Sequence, residues 1–496
     1  MVDTGMAVTA TFVVYLAMML GIGAWAYRRT SDSSGYFLGG RSLGPWPAAL
    51  SAGASDMSGW LMLGLPGFAF TSGLGSLWLA GGLLAGTWLN WRLVARRLRT
   101  FSYLADDALT IPEYFANRFG DRGHWLQGLS AVFILLFFLF YTSAGLVAGG
   151  KLFETVFGLN YEVAVVVGAL CVVSYTLFGG FLAVSWTDLV QGLLMAAALL
   201  VVPIIAIQGT GGVDALLATL GQDHPALLSP WVDGAGEPLT LIAIVSLAAW
   251  GLGYFGQPHI LARFAGIRSG ADVPLARRIA VGWSAATMGG AILVGLAGVA
   301  YVDANLGGQL ADAETIFMVL VHALTHPVVA GILLAAILAA IMSTADSQLL
   351  VSSSALAEDL YRQLARPAAR QREIVAVGRG AVVLLAVVAT WLAFDPDSSV
   401  LGLVGYAWAG FGAAFGPVLL LSLYWRRMNR TGALAGVLVG GLTVVAWKPL
   451  EGGLFDLYEI VPGILFATLA IVIASLVTAP PPRAVREGFE RCRAGL

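Results

Sequence analysis

The chain has 496 residues, 58% hydrophobic and only 11% charged, with a formal net charge of −2. Soluble domains carry about 25% charged residues, so a soluble fold is excluded and a polytopic membrane protein is expected. Two cysteines, Cys171 and Cys492, rule out a disulfide framework and argue against a metal cluster, and the near-neutral balance carries no signature of a nucleic-acid partner.

Met1 to Met6 hold an acid and no Lys or Arg, so the first apolar run is expected to be a retained span and not a signal peptide. Thirteen apolar runs follow one another at about 7–27, 46–72, 75–98, 125–157, 161–179, 182–208, 239–262, 275–303, 326–361, 374–394, 399–424, 430–447 and 458–478. Barrel strands would be about 10 residues long, so length selects an all-α integral membrane protein with 13 transmembrane helices. The loop at about 209–238 is acidic and bears Gly and Pro, segment 99–124 is partly amphipathic, and a short basic tail follows Pro480-Pro481-Pro482.

Basic residues set the orientation. Arg28, Arg29 and Arg41, then Arg92 to Arg122, Arg263 to Arg278, Arg362 to Arg379, Arg426 to Arg430 and the tail arginines all fall in alternate loops. Only Lys151 and Lys448 fall elsewhere, so 25 of the 27 basic residues share one side. The N-terminus is expected outside and the C-terminus in the cytoplasm.

The second run contains Ser51-Ala52-Gly53-Ala54-Ser55-Asp56-Met57-Ser58-Gly59-Trp60. A carboxylate near the bilayer centre costs roughly 2.5–3.5 kcal/mol on insertion scales. Gly and Ser weaken the helix around it, and irregular backbone at membrane depth survives only where it lines a cavity or is buried in protein. An interrupted, oxygen-rich midplane segment is the pattern of a cation and substrate site in a secondary transporter. The seventh run, Trp250-Gly251-Leu252-Gly253-Tyr254-Phe255-Gly256-Gln257-Pro258-His259, predicts a second break from its glycines and proline. Its G-x-G-x-x-G pattern has no preceding strand and carries no nucleotide signal. Trp250 and Tyr254 share a helix face, and with Trp60 and Tyr141 they are placed to wall a small amphipathic ligand.

Besides Asp56, the acids within spans are Asp188 and Asp346. Ser343, Asp346 and Ser347 share a helix face, with Thr344 beside them. Hydroxyls, carbonyls and carboxylates suit a hard cation. Neither a nucleophile–base pair nor a Walker loop appears, so no enzyme activity and no ATP drive are expected.

Ser51–Trp60, Gly179–Gln191, Gly251–His259 and Ala340–Thr344, with Gly39-Gly40-Arg41-Ser42-Leu43-Gly44-Pro45 and Leu401-Gly402-Leu403-Val404, resemble the sodium/solute symporter family over nearly the whole chain. The resemblance implies a LeuT-type core of two inverted five-helix repeats. They would occupy 46–208 and 239–424, preceded by a first helix and loop in 1–45 and followed by two helices in 430–478 and a tail in 479–496. It also implies Na+ as coupling ion, bound by Ala54, Met57 and Ala340 carbonyls and by Ser343 and Thr344 hydroxyls, with Asp56 supporting. Ser58, Gly59, Trp60, Tyr141, Trp250, Tyr254, Gln257 and Pro258 would surround the substrate, and Arg41 would serve gating. Asp188, Asp346 and Ser347 form either a second cation site or a hydrogen-bonded network. The implied activity is Na+-coupled import of L-proline by alternating access, without a required oligomer. Another small solute, a channel and a transporter-derived sensor are the alternatives.

Overall fold

Among the described residues helices make up the architecture, and their breaks position the site. The computed structural model describes residues 2–27, 39–176 and 181–496; Arg28, Arg29 and the Gly179-Gly180 pair lie outside them. Helix α1 covers Val2–Tyr27. Helix α2, Pro45–Asp56, opens on a proline, whose missing N–H costs nothing in a first turn. It stops in the small-residue patch, where Met57 leaves the helical region at φ −85°, ψ 79°. A π-turn over Trp60–Gly64 leads into α3, Leu65–Ser72, which ends where Gly73 takes φ +54°. Helix α4, Leu77–Asn90, runs through a second π-turn into α5, Arg96–Leu104. A reciprocal cap starts α6, Ile111–Phe119: the Glu113 N–H donates to Thr110 Oγ1 at 3.0 Å while the Glu113 carboxylate accepts from the Leu109 N–H at 2.7 Å. Helices α7, Trp125–Phe157, α8, Tyr161–Thr176, and α9, Phe181–Gly209, complete the first half.

The second half opens on α10, Leu241–Ala248, which tightens into a 3₁₀ stretch over Ala249–Gly256. Gln257 is extended (φ −79°, ψ 106°), and α11, Pro258–Gly266, restarts on a proline at an angle of 47°. Then come α12, Val273–Leu306, α13, Pro327–Ser354, with a π-helical extension over Ala355–Ala365, α14, Gln371–Leu392, and α15, Val400–Tyr424. Helices α16, Arg430–Trp447, and α17, Ile460–Val477, follow, and α18, Arg483–Ala494, rests its Phe489 edge-on against Phe101 of α5.

Ten helices among the described residues are long and apolar enough to cross a bilayer, and the bent α10–α11 pair makes an eleventh. The helical run Trp60–Leu104 counts once in that ten although Gly73 interrupts it, and Tyr161–Ser174 is apolar but shorter. Helices α7, α13 and α15 are buried on most sides, whereas α1, α14 and α17 turn most of their surface outwards. Close packing of the 3₁₀ stretch depends on missing side chains. A Cβ on Gly251 would strike the backbone at Gly82, one on Gly253 the Trp408 ring, and one on Gly256 the Phe411 carbonyl. The second break is therefore clamped between α4 and α15.

Candidate functional site

The break after α2 lies against the middle of α13. Ser343 Oγ donates to the Ala54 carbonyl at 2.8 Å and lies 3.2 Å from the Ala340 carbonyl; Thr344 Oγ1 reaches the same Ala54 carbonyl at 3.3 Å. All four residues are buried. Two carbonyls and two hydroxyls thus meet where α2 has lost its continuing hydrogen bonds. Met57, also buried, stands in the break, its sulfur 3.9 Å from Thr287 Oγ1. Gly59 passes so close to α7 that a Cβ would come within 2.6 Å of Ala148.

Interrupting α2 frees the Asp56 carbonyl, and three groups converge on it. Tyr141 OH donates to it at 2.9 Å, Trp60 Nε1 at 3.0 Å and the Ser58 N–H at 3.0 Å. The Asp56 carboxylate is fully enclosed, with Oδ2 accepting from Tyr254 OH at 2.6 Å. Three of the aromatic residues predicted from sequence are therefore joined through one aspartate. Tyr254 in turn meets Trp408 of α15 edge to face, with centroids 4.9 Å apart. Trp408 Nε1 donates to the Trp250 carbonyl at 2.7 Å, and the Trp250 ring stacks on Tyr458. Gln257 spans the second break by donating to the Gly253 and Trp408 carbonyls at 3.0 and 3.2 Å. Pro258 and the buried His259 begin α11, where first-turn N–H groups have no partner within the helix.

A second network lies one turn along α13, where Ser347 Oγ donates to the Ser343 carbonyl at 2.9 Å. Asp188 Oδ2 accepts from Ser51 Oγ at 2.6 Å and pairs with Arg263 Nη2 at 3.2 Å. The same nitrogen donates to Ser347 Oγ at 2.6 Å, and Arg263 Nε donates to Ser51 Oγ at 3.0 Å. Ser347 Oγ also lies 3.3 Å from Asp346 Oδ1. The guanidinium covers the Phe181 ring at 5.1 Å, and both members of the ion pair are 0% exposed. Asp188, Asp346 and Ser347 are brought together, but around an arginine. Sequence reading put Arg263 in a basic loop; its place is inside the bundle.

Each end of the bundle has its own fastening. On the arginine-rich face, Arg41 pairs with Asp107 at 2.7 Å and donates to Ser102 Oγ and to the Ala265 and Ala108 carbonyls. The Leu43 N–H donates to the Gly266 carbonyl and the Arg268 N–H to the Leu43 carbonyl, so the start of α2 is tied to the end of α11. A cavity of about 30 Å³ on this face reaches from Pro258 to Thr110 and Asp359. On the opposite face, Glu314 accepts from the Val400 and Leu401 N–H groups at the N-terminus of α15, both at 3.1 Å. Lys151 bridges Glu314 and Asp312, at 2.7 Å to each.

A sequence model described as the Sodium:solute symporter family matches residues 36–440. The chain belongs to the sodium:solute symporter family. This symporter is 50% identical over 487 residues to the sodium/proline symporter of Salmonella typhimurium, covering 98% of this chain and 96% of that one. It is also 50% identical to the high-affinity proline transporter PutP of Bacillus subtilis, with 95% and 98% covered. Among solved structures, a Na+-coupled sialic acid symporter in a substrate-bound outward-open state superposes with a TM-score of 0.80 at 21% identity, covering 96% and 99%. The nucleobase-cation-symport transporter MHP1 in a closed conformation superposes at 0.56 and 16% identity, covering 93% and 100%. The fold is the LeuT type, in an all-α membrane protein that is a transporter and not an enzyme.

Several groups in the symporter escaped sequence reading. Trp408 sits in an apolar helix with nothing polar nearby to mark it. His259 reads as the tail of a break. Glu314 looks like one more outer-loop acid, although the isolated Lys151 within an apolar run was the available signal for its partner.

Proposed function

We propose that this chain is a multi-pass symporter of the bacterial inner membrane that imports L-proline with Na+ by alternating access. The observation that carries it is the convergence of Ser343 and Thr344 hydroxyls on the Ala54 carbonyl, in a break whose next residue but one, Asp56, is held by Trp60, Tyr141 and Tyr254. Na+ lies among the Ala54, Met57 and Ala340 carbonyls and the Ser343 and Thr344 hydroxyls, with Asp56 supplying negative charge nearby. Ion–oxygen contacts replace the present hydroxyl–carbonyl bonds, hold α2 to α13 and fix the pocket. Proline lies between the two breaks, among Ser58, Gly59, Trp60, Tyr141, Trp250, Tyr254, Gln257 and Pro258. Its carboxylate meets free N–H groups at a helix start, where the dipole favours an anion, and its ring lies on the aromatics.

Arg41 acts as the fastening of the cytoplasmic side. Asp188, Asp346 and Ser347 serve as a charge network centred on Arg263, which provides the cation those acids need. Thirteen spans follow when Trp60–Leu104 is counted as two crossings at Gly73 and α8 is added; with Arg263 moved into the bundle, 24 of the 27 basic residues stay assigned to the cytoplasmic side by sequence, with the N-terminus outside. The repeats are 46–208 and 239–424. One Na+ moving down ~100 mV and a tenfold gradient supplies roughly 3.7 kcal/mol, enough for a ~500-fold proline gradient at one-to-one coupling.

Purified protein in liposomes, offered labelled proline with and without an inward Na+ gradient, tests the reading. Accumulation is expected only with the gradient. Uptake that ignores Na+, or that an excess of another small solute abolishes while unlabelled proline does not, refutes it.

A further inference from the structure

Tyr458 stands just before α17, in the segment that joins the last two membrane helices. Its ring stacks on Trp250, with centroids 5.4 Å apart and planes 21° apart. The same residue reaches two helices of the core. Its N–H donates to Ser246 Oγ of α10 at 2.9 Å, and its OH donates to the Gly405 carbonyl of α15 at 2.6 Å. Tyr458 thus lies across the seam between the helix that carries the second break and the helix that clamps it.

Trp250 belongs to the 3₁₀ stretch over Ala249–Gly256, four residues before Tyr254. The glycines of that stretch have no room to move, and the Trp250 carbonyl accepts from Trp408 Nε1 at 2.7 Å. With the backbone fixed, the direction of the buried Trp250 ring is set by what touches the ring. Tyr458 covers a face. Gly405 makes room for an edge: a Cβ there would come within 3.1 Å of Trp250 Cζ2 and 4.0 Å of Tyr458 OH. Aromatic pairs favour particular mutual geometries, and the two hydrogen bonds of Tyr458 stop the phenol from following if Trp250 turns. The segment carrying Tyr458 is itself held. Trp447 Nε1 donates to the Leu457 carbonyl at 3.0 Å, and the buried Glu459 pairs with Lys448 at 3.5 Å.

We propose that Tyr458 is a positioning residue for the substrate pocket: it fixes the tilt of Trp250 and thereby sets the ring size of the solute accepted. This rests on the reading that places Trp250 beside proline and deepens it, because it brings a residue from beyond α15 into solute selection.

Competition uptake into proteoliposomes tests the assignment. Labelled proline is offered under an inward Na+ gradient, against unlabelled proline or its six-membered-ring homologue. In Tyr458→Ala, half-saturating proline should rise roughly 2- to 12-fold, the scale of one aromatic pair. Preference for the five-membered ring should fall by a similar factor, while half-saturating Na+ at saturating proline stays within about twofold of wild type. Tyr458→Phe keeps the stack and should keep the preference. Trp250→Ala/Tyr458→Ala should be no worse than Trp250→Ala, because residues that act as a unit are not additive. An unchanged preference in Tyr458→Ala at equal yield overturns the proposal. An additive double variant does so too, since it makes Tyr458 a plain packing residue. Where Tyr458→Ala yields too little protein, Gly405→Ala crowds the Trp250 edge from α15 and carries the same test, with an unchanged preference again overturning the proposal. Wild-type uptake that ignores Na+ or proline instead sinks the symport reading, so the two failures are told apart.

Discussion

Replacing Ser343 by Ala removes one oxygen from the proposed ion position and little else. The hydroxyl is fully buried, donates to the Ala54 carbonyl at 2.8 Å and has the Ala340 carbonyl at 3.2 Å as its alternative. In the absence of Na+ the loss is a neutral hydrogen bond, worth about 0.5–1.5 kcal/mol of stability. With Na+ bound, the loss is one oxygen facing a full charge, on the scale of about 1.5–3 kcal/mol for a charged hydrogen bond. The shift in affinity is the difference between the two losses, about 1–1.5 kcal/mol, so at 1.4 kcal/mol per tenfold the half-saturating Na+ concentration should rise roughly 5- to 12-fold. The assay is initial-rate proline uptake into proteoliposomes against external Na+, with choline keeping ionic strength constant. Apparent proline affinity should fall at low Na+ and recover at saturating Na+, because coupling between two binding events is reciprocal. Thr390→Ala is the matched control: its hydroxyl only donates to the Ala386 carbonyl of its own helix, at 2.7 Å, and should shift nothing. A half-saturating Na+ within twofold of wild type in Ser343→Ala, at equal protein yield, would refute the placement of the ion.

Tyr254→Phe keeps the ring against Trp408 but strips Asp56 Oδ2 of its donor, at a cost of about 1–3 kcal/mol. The expected result is a rise of roughly 5- to 150-fold in half-saturating Na+ or proline, and unchanged uptake curves would remove Tyr254 from the site. Arg263→Met leaves Asp188 buried without its partner, which costs about 3–5 kcal/mol. Thermal unfolding in detergent should move down sharply and recover in Arg263→Met/Asp188→Asn; equal stability of the single variant and wild type would contradict this. Arg41→Lys cannot reproduce a fork that reaches Asp107, Ser102 and two carbonyls. Slower proline turnover at normal yield is expected, and full turnover would make Arg41 an ordinary surface anchor.

What was legible in the sequence follows from what lipid demands. Apolar runs of bilayer length announce helices because no other open structure spans hydrocarbon. Gly, Ser and Pro inside two of those runs announced the breaks, and both occur at the expected places, after Asp56 and at Gln257. Ser343, Asp346 and Ser347 were legible as one face because helix geometry fixes their proximity, whereas Ala340 joined Ser343 and Thr344 only through the family resemblance. Long-range pairing was not. Arg263 lies four residues beyond His259, near arginines that do belong to a loop, and only Asp188, distant in sequence, reveals that it turns inward. Lys151 and Lys448 depart from the charge rule because each has a local acid, Glu314 at 2.7 Å and Glu459 at 3.5 Å. Nor does a sequence say which way an aspartate points from a broken helix.

The clamped glycines at 251, 253 and 256 also constrain how this transporter can change its diet. Neither α4 nor α15 leaves room for a methyl group there, so the backbone of that stretch is a fixed mould. On the proposed reading, a shift in solute preference comes instead from swapping the rings that converge on Asp56, such as Trp60, Tyr141 and Tyr254. A mutagenesis library meant to retarget uptake should therefore hold those glycines constant and randomise the aromatics.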